Sequence, residues 1–246
     1  MAEDCGIAQA LAGVRDASSA FEFIEWFLRE WLTPLRDGDG CTAEQVAIVE
    51  DWLGLRLPAS MVTFYRLLGR RIDLTRNQDT LIFLQSLRVV DGSLVYRIEN
   101  QACVSWGVRV ADLELADPPV VFCEGYGEGK PWRPFLDSFS LAVVEMVLAE
   151  SLAGRAGVHA NLPVDDDAQI ARLEAVCERL PFPDYPAWWQ PEVPQAARWF
   201  TMPGVLIRED SRTWLWVLAR DSASLDRLRE ALPGNWHDII TAQPLQ

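Results

Sequence analysis

A few groups of residues in this chain have types that could do chemistry. Gly125-Tyr126-Gly127-Glu128-Gly129-Lys130 carries the glycines and lysine of a phosphate-binding loop. Such a loop needs Ser or Thr after the lysine and a helix behind it. Here Pro131 follows, no strand–loop–helix pattern continues, and Glu128 would repel phosphate. The run reads as a surface loop. His159 lies in a Gly/Ala stretch and His237 ahead of a terminal strand. Neither has a Glu or Cys at ligand spacing, so both read as structural or solvated. Cys5, Cys41, Cys103, Cys123 and Cys177 are odd in number, widely spaced and form no CxxC pair, which points to reduced thiols. Asp165-Asp166-Asp167 lacks the spaced oxygens and glycine of a calcium loop and fits the acidic start of a helix. No GxSxG motif occurs. The expectation is a non-enzyme with no catalytic residue, no cofactor and no metal.

Charge is the stronger clue. Thirty-six acidic residues against twenty-two basic ones give −14. Nucleic acid and anionic membrane are bound through positive charge, so neither is expected as a partner. A negative surface keeps a protein in solution, and it also steers a basic protein partner. At 246 residues, 50% hydrophobic, the chain has ample core for one large domain or a domain plus an annex. No apolar run reaches the roughly 18 residues of a membrane span, and MAEDCGIAQALAGVRD has acids where a signal peptide has bases. A cytoplasmic location is expected. The eleven tryptophans belong mostly to the core, with a few free to anchor an interface.

Several elements must position whatever surface is used. Residues 42–69 read as helix, corner, helix. Thr42 and Gln45 make a capping box, Val46, Val49 and Leu53 share a face, Gly54 ends the first helix, and Leu57-Pro58 opens the second, in which Met61, Phe64, Tyr65 and Leu68 are apolar. Gly69 stops it. Before this, residues 19–33 form a helix with Ser19 and Glu22 as capping box and Phe21, Ile24, Leu28 and Trp31 as its stripe. Short strands follow at 81–84, 93–99, 102–110 and 120–122, with Asp91-Gly92 a turn, so an antiparallel meander is expected. Ser140 to Leu152 reads as an amphipathic helix, and Gly154 to Pro163 as a boundary. Beyond it come a helix that opens at Asp165–Asp167 and has Ile170, Leu173, Cys177 and Leu180 as its stripe, a proline strap at 181–194 pinned by Trp188 and Trp189, and a strand–strand–helix–strand ending, in which Ser222 caps the helix.

Two sets of these residues resemble the SMI1/KNR4 (SUKH) superfamily. The first is Glu50, Leu53-Gly54, Leu57-Pro58, Phe64-Tyr65 and Gly69, with Leu68-Gly69 where the family commonly has Asn-Gly. The second is Glu99-Asn100-Gln101, Trp106-Gly107, Asp112-Leu113, Asp117-Pro118-Pro119-Val120, Trp132 and Ser138-Phe139-Ser140-Leu141. The resemblance spans about Thr42 to Leu152. It implies an α+β fold with a curved antiparallel sheet and helices packed against it, which with the N-terminal helices takes up residues 1–155, and the boundary that follows sets off a C-terminal α/β annex over 156–246. It also implies an immunity-type protein that occludes a cognate basic toxin, a nuclease or deaminase. A regulatory scaffold of the fungal type is the alternative, and an enzyme with an unrecognised site the third. For an acidic partner surface the candidates are two loops, with Asp112, Glu114 and Asp117 in one and Glu124 and Glu128 in the other.

Overall fold

A computed structural model of the chain describes residues 6–125, 129–187 and 196–239. It divides into two compact units, Arg15–Glu150, and Ser151–Gln246 with Met1–Val14. Each carries helices and one antiparallel sheet, which is the α+β class expected. In the unit that includes the N-terminus, α1 (Ile7–Ala12) buries Ile7 and Leu11.

The unit Arg15–Glu150 opens with α2 (Ala17–Trp31), α3 (Ala43–Leu53) and α4 (Ala59–Leu68). The start of α2 differs from the expectation. Asp16 is the cap, accepting the Ser19 N–H at 2.9 Å while Ser19 Oγ takes the Asp16 N–H at 3.0 Å. A carboxylate accepts better than a hydroxyl at the positive end of a helix, so Asp16 displaces Ser19 and Glu22 from the role. The Thr42–Gln45 box is present, at 3.2 and 2.9 Å, and Gly54 ends α3 left-handed at φ 64°. Pro58 caps α4 from outside its first turn. Gly69 is right-handed instead (φ −60°), and its reason is space. A Cβ there would meet Tyr65 O at 2.5 Å and Cys41 Sγ at 2.9 Å.

The acidic residue of the corner has a structural task. Glu50 accepts the Leu57 N–H at 2.8 Å and pairs with Arg56 at 2.9 Å, clamping the chain between α3 and α4. Leu57, Pro58, Phe64 and Val49 are buried, whereas Leu53 is only half-buried.

The sheet follows as β1 (Asp79–Leu81), β2 (Arg88–Val90), β3 (Ser93–Glu99), β4 (Val104–Arg109), β5 (Val120–Glu124) and β6 (Arg133–Leu136). Its order is β1-β3-β4-β5-β6, all antiparallel, with β2 also on β3. Thus β1 and β2 lie end to end along β3, against Arg97–Glu99 and Ser93–Val95. The first strand sits two residues earlier than expected, because the chain after Leu81 turns into a single 3-10 turn at Leu84–Ser86. Strands β2 and β6 were not anticipated. Asp91 (φ 43°) and Gly92 (φ 75°) make the tight hairpin turn. The Glu99-Asn100-Gln101 turn is held by Glu99, whose carboxylate accepts the N–H groups of Gln101 (2.8 Å) and Cys103 (3.2 Å). Gly107 lets β4 approach β3, since a Cβ would lie 2.9 Å from Leu94 O.

Helix α5 (Phe139–Ser151) closes the unit. Amphipathicity was expected, but the helix is buried from Ala142 to its end, so it is a core helix and not a half-exposed one. Its Phe139 ring packs edge-on against Phe64 and Tyr96, at centroid distances of 5.8 and 4.9 Å.

The other unit contains β7 (Val158–Pro163), α6 (Asp167–Val176), β8 (Glu178–Arg179), β9 (Tyr185–Pro186), β10 (Ala196–Met202), β11 (Val205–Asp210), β12 (Trp214–Ala219), α7 (Ser222–Ala231) and β13 (His237–Ile239). The sheet order is β13-β7-β12-β11-β10-β8, with β9 also on β10. Residues 158–163, expected as a boundary, form the interior strand β7. Its Ala160 and Leu162 join Val205, Ile207, Leu215 and Val217 in a core covered by Leu225 and Leu228 of α7 and Leu173 of α6. Strand β10 was also missed, hidden next to the proline strap. Asp166, not the triplet as a whole, caps α6, and Asp221 rather than Ser222 caps α7. Trp188 and Trp189 lie outside the described residues, as do Cys5, Tyr126, Gly127 and Glu128. Among the described residues, no helix is long and apolar enough to cross a membrane.

Candidate functional site

The loop between β4 and β5 is held at both ends. A 3-10 turn covers Val110–Asp112, and Leu113 is buried behind it. Ala116 O accepts the Ser60 N–H at 2.9 Å. Asp117 accepts both the N–H (2.8 Å) and the hydroxyl (2.6 Å) of Ser140, which caps the first turn of α5. Pro118 is buried and Pro119 half-buried. Asp117 is therefore committed within the fold. Between these anchors Glu114 and Leu115 are exposed and Asp112 is half-buried. Among the described residues, neither Asp112 nor Glu114 offers its carboxylate to an intramolecular partner. In the second loop, Glu124 pairs with Lys130 at 3.4 Å, an exposed bridge of little energetic weight. Glu128 lies outside the described residues.

Near that loop is a cavity of about 30 Å³ lined by Phe122, Cys123, Glu124, Lys130, Pro131 and Arg133. It has room for a water molecule. His159 is buried, with Nδ1 2.9 Å from Leu152 O and Nε2 2.8 Å from Ala156 O. Burial holds its pKa below the ordinary histidine value, and its contacts tie the chain ahead of β7. Burial pushes the thiols of Cys41 and Cys123 up and that of Cys177 up to about 11, so each is protonated and weakly nucleophilic at neutral pH. Among the described residues, no group of three or more His, Cys, Asp or Glu is placed to hold a metal ion.

A buried cluster of charge lies among residues that the sequence did not single out. Arg97, 2% exposed on β3, donates from Nη2 to Asp79 and from Nη1 to Glu145, both at 2.6 Å. Its guanidinium carbon lies 4.6 Å from the ring centre of Trp106, the cross-strand neighbour. Glu150, one turn beyond Glu145, accepts the N–H groups of Asn77 (2.6 Å), Gln78 (2.9 Å) and Asp79 (2.8 Å). Burial opposes the charge on Arg97, but Glu145 and Asp79 outweigh it and hold the guanidinium pKa above its ordinary value. Burial raises Glu150. The cluster is closed to solvent and joins β1, β3 and α5, so it acts as a clamp. Its signal in the sequence is a pair of glutamates in an otherwise apolar helix, AVVEMVLAE, opposite an arginine in an apolar strand.

The unit with β10–β12 has a similar ladder. Glu209 is fully buried against Arg198 (2.6 Å), which also reaches Glu174, and Arg208 holds Asp210 by two bonds of 2.8 and 2.7 Å. These pairs stabilise a turn in which Ser211 and Arg212 both have positive φ.

Compared with family models, with curated proteins and with solved structures, the chain finds no match.

Proposed function

We propose that this chain is an immunity-type protein of the SMI1/KNR4 (SUKH) kind, which acts in the cytoplasm and neutralises a cognate basic toxin by stoichiometric occlusion. The reading is supported by the motif residues and by one feature above all, the acidic loop Asp112–Asp117. The loop presents Asp112, Glu114 and the exposed Leu115, while its ends are fixed by the Ser60–Ala116 bond and the Asp117–Ser140 cap. A loop ordered before binding loses little conformational freedom on binding, and unpaired carboxylates attract a basic partner from a distance. A toxin that acts on nucleic acid is basic for its own reasons.

The test is co-purification of this chain with its binding partners from its own host, followed by co-expression with any toxic domain recovered. A one-to-one complex and survival of the host are expected. Asp112→Lys with Glu114→Lys is expected to slow association and weaken its salt dependence, with a smaller effect on dissociation and an unchanged melting temperature. Absence of both complex and protection would overturn the neutralising reading. Undiminished protection by the double reversal would remove this loop from the interface.

A further inference from the structure

Helix α3 carries the most exposed large apolar side chain of the described residues. Trp52 is 68% exposed and Ile48, one turn earlier, 60%. Spaced four apart, they form a single ridge on the outer face, about 110° round the helix from the buried Val46 and Val49. At 100° per residue, Glu44 and Asp51 line one flank of that ridge. The helix contains no basic residue at all. Asp51 stands in its last turn, at the negative end of the helix dipole, where a carboxylate is disfavoured. Among the described residues, neither Glu44 nor Asp51 offers its carboxylate to an intramolecular partner. By contrast, Glu50, on the inner side, is fully used in the corner clamp.

The face is also held still. Cys41 N–H bonds to Tyr65 O at 2.8 Å and Arg70 Nη2 to Gln45 Oε1 at 2.9 Å, fixing the N-terminal end of α3 to α4. Gly40 permits this closeness, since a Cβ there would lie 1.5 Å from Arg66 O. An exposed tryptophan beside an aliphatic residue on a fixed helix has the makings of a binding anchor.

We propose that the outer face of α3 docks a basic amphipathic helix of the partner, whose apolar ridge covers Ile48 and Trp52 while lysines or arginines line Glu44 and Asp51. A ridge spaced by four residues fits the groove of a second helix. A second copy of this chain is the wrong occupant, because pairing α3 with α3 sets acid against acid in an already acidic protein. The inference rests on the neutralising reading only for the partner's identity.

The experiment uses the full chain and a synthetic peptide of about 18 residues in which leucine and lysine alternate with helical period. A scrambled peptide of equal composition is the control. By calorimetry the ordered peptide is expected to bind, and Ile48→Ala with Trp52→Ala to weaken it by about tenfold or more although no charge has changed. Glu44→Gln with Asp51→Asn is expected to weaken it and flatten its salt dependence. Both pairs lie on the surface, and unchanged melting curves verify their folding. Equal affinity of parent and alanine variant overturns the proposal, as does equal binding of the scrambled peptide. Self-association of the parent that the alanine variant abolishes assigns the face to a second copy and overturns it too. A toxin that binds parent and variant alike also rules out the face, while leaving neutralisation in place. A toxin that binds neither overturns neutralisation alone, and the peptide then decides the face.

Discussion

Arg97→Met tests the clamp at the centre of the unit Arg15–Glu150. Methionine keeps the length and apolar body of the side chain, so packing against Trp106 survives while the charge is lost. Each carboxylate oxygen lies 2.6 Å from a guanidinium nitrogen, which places the charge centres roughly 4 Å apart. At an effective dielectric near 20 each pair is then worth about 4 kcal/mol, before the cost of removing the ions from water. Asp79 and Glu145 would remain buried with no cation, and stranding a buried charge in this way costs about 3–5 kcal/mol. The pH dependence follows. Burial already raises the pKa of the neighbouring Glu150 against the opposing pull of Arg97, so in the variant the Glu150 carboxyl keeps its proton after the unfolded chain has released it. The penalty is therefore fully present above the raised pKa and fades as pH falls toward 4. The variant is expected to lose more stability at about pH 8 than at about pH 5, and a tenfold stronger hold on one proton in the folded state corresponds to about 1.4 kcal/mol. Urea unfolding read by tryptophan fluorescence measures it, using the transition of this unit. Adding Asp79→Asn and Glu145→Gln should restore most of the loss. A loss under about 1 kcal/mol, or one equal at both pH values, would refute the account of Arg97 as a clamp.

Two further substitutions probe how the candidate surfaces are held. Gly40→Ala drives a methyl into the Arg66 carbonyl and should cost about 1–3 kcal/mol or more, read as a lower melting temperature. Asp117→Ala removes the acceptor of the Ser140 N–H in the first turn of α5, leaving Ser138 Oγ on the Leu141 N–H, and should cost about 1 kcal/mol in a urea titration, whereas removing an acid used only for binding would leave stability unchanged.

Features written over a few residues were legible. The Thr42–Gln45 box, the left-handed Gly54 and the Asp91-Gly92 hairpin depend on local geometry, and each stands where expected. What failed depended on distance. Residues 158–163 looked like part of a boundary because Gly154 and Gly157 precede them and the run to Pro163 is poor in apolar residues. Only pairing with β12 and β13 makes them a strand. Helix α5 showed a helical period, but burial on all sides comes from its neighbours and leaves no mark beyond the scarcity of polar residues. The Arg97 clamp joins residues 48 apart to Glu145, so nothing local announced it. For the candidate surface, the sequence grouped the acids of each loop but did not sort them. Asp117 and Glu114 look alike as acids of one loop, yet Asp117 caps a helix and Glu114 has its carboxylate left over.

That sorting bears on function. An acidic residue needed by the fold has a donor aimed at it, as Asp16, Glu50, Glu99, Asp117, Asp166, Glu209 and Asp221 do. Mutating these changes stability first, and any loss of binding follows from it. The carboxylates of Asp112, Glu114, Glu44 and Asp51 have no such donor among the described residues, and beside them stand apolar side chains, Leu115 in one place and Ile48 with Trp52 in the other. Solubility accounts for exposed acids anywhere on the surface, but it gives no reason to set them beside large exposed apolar groups, which work against it. A basic partner with an apolar anchor explains both at once. On the proposed function the two patches serve recognition, and the signature expected of them is lost affinity at constant melting temperature.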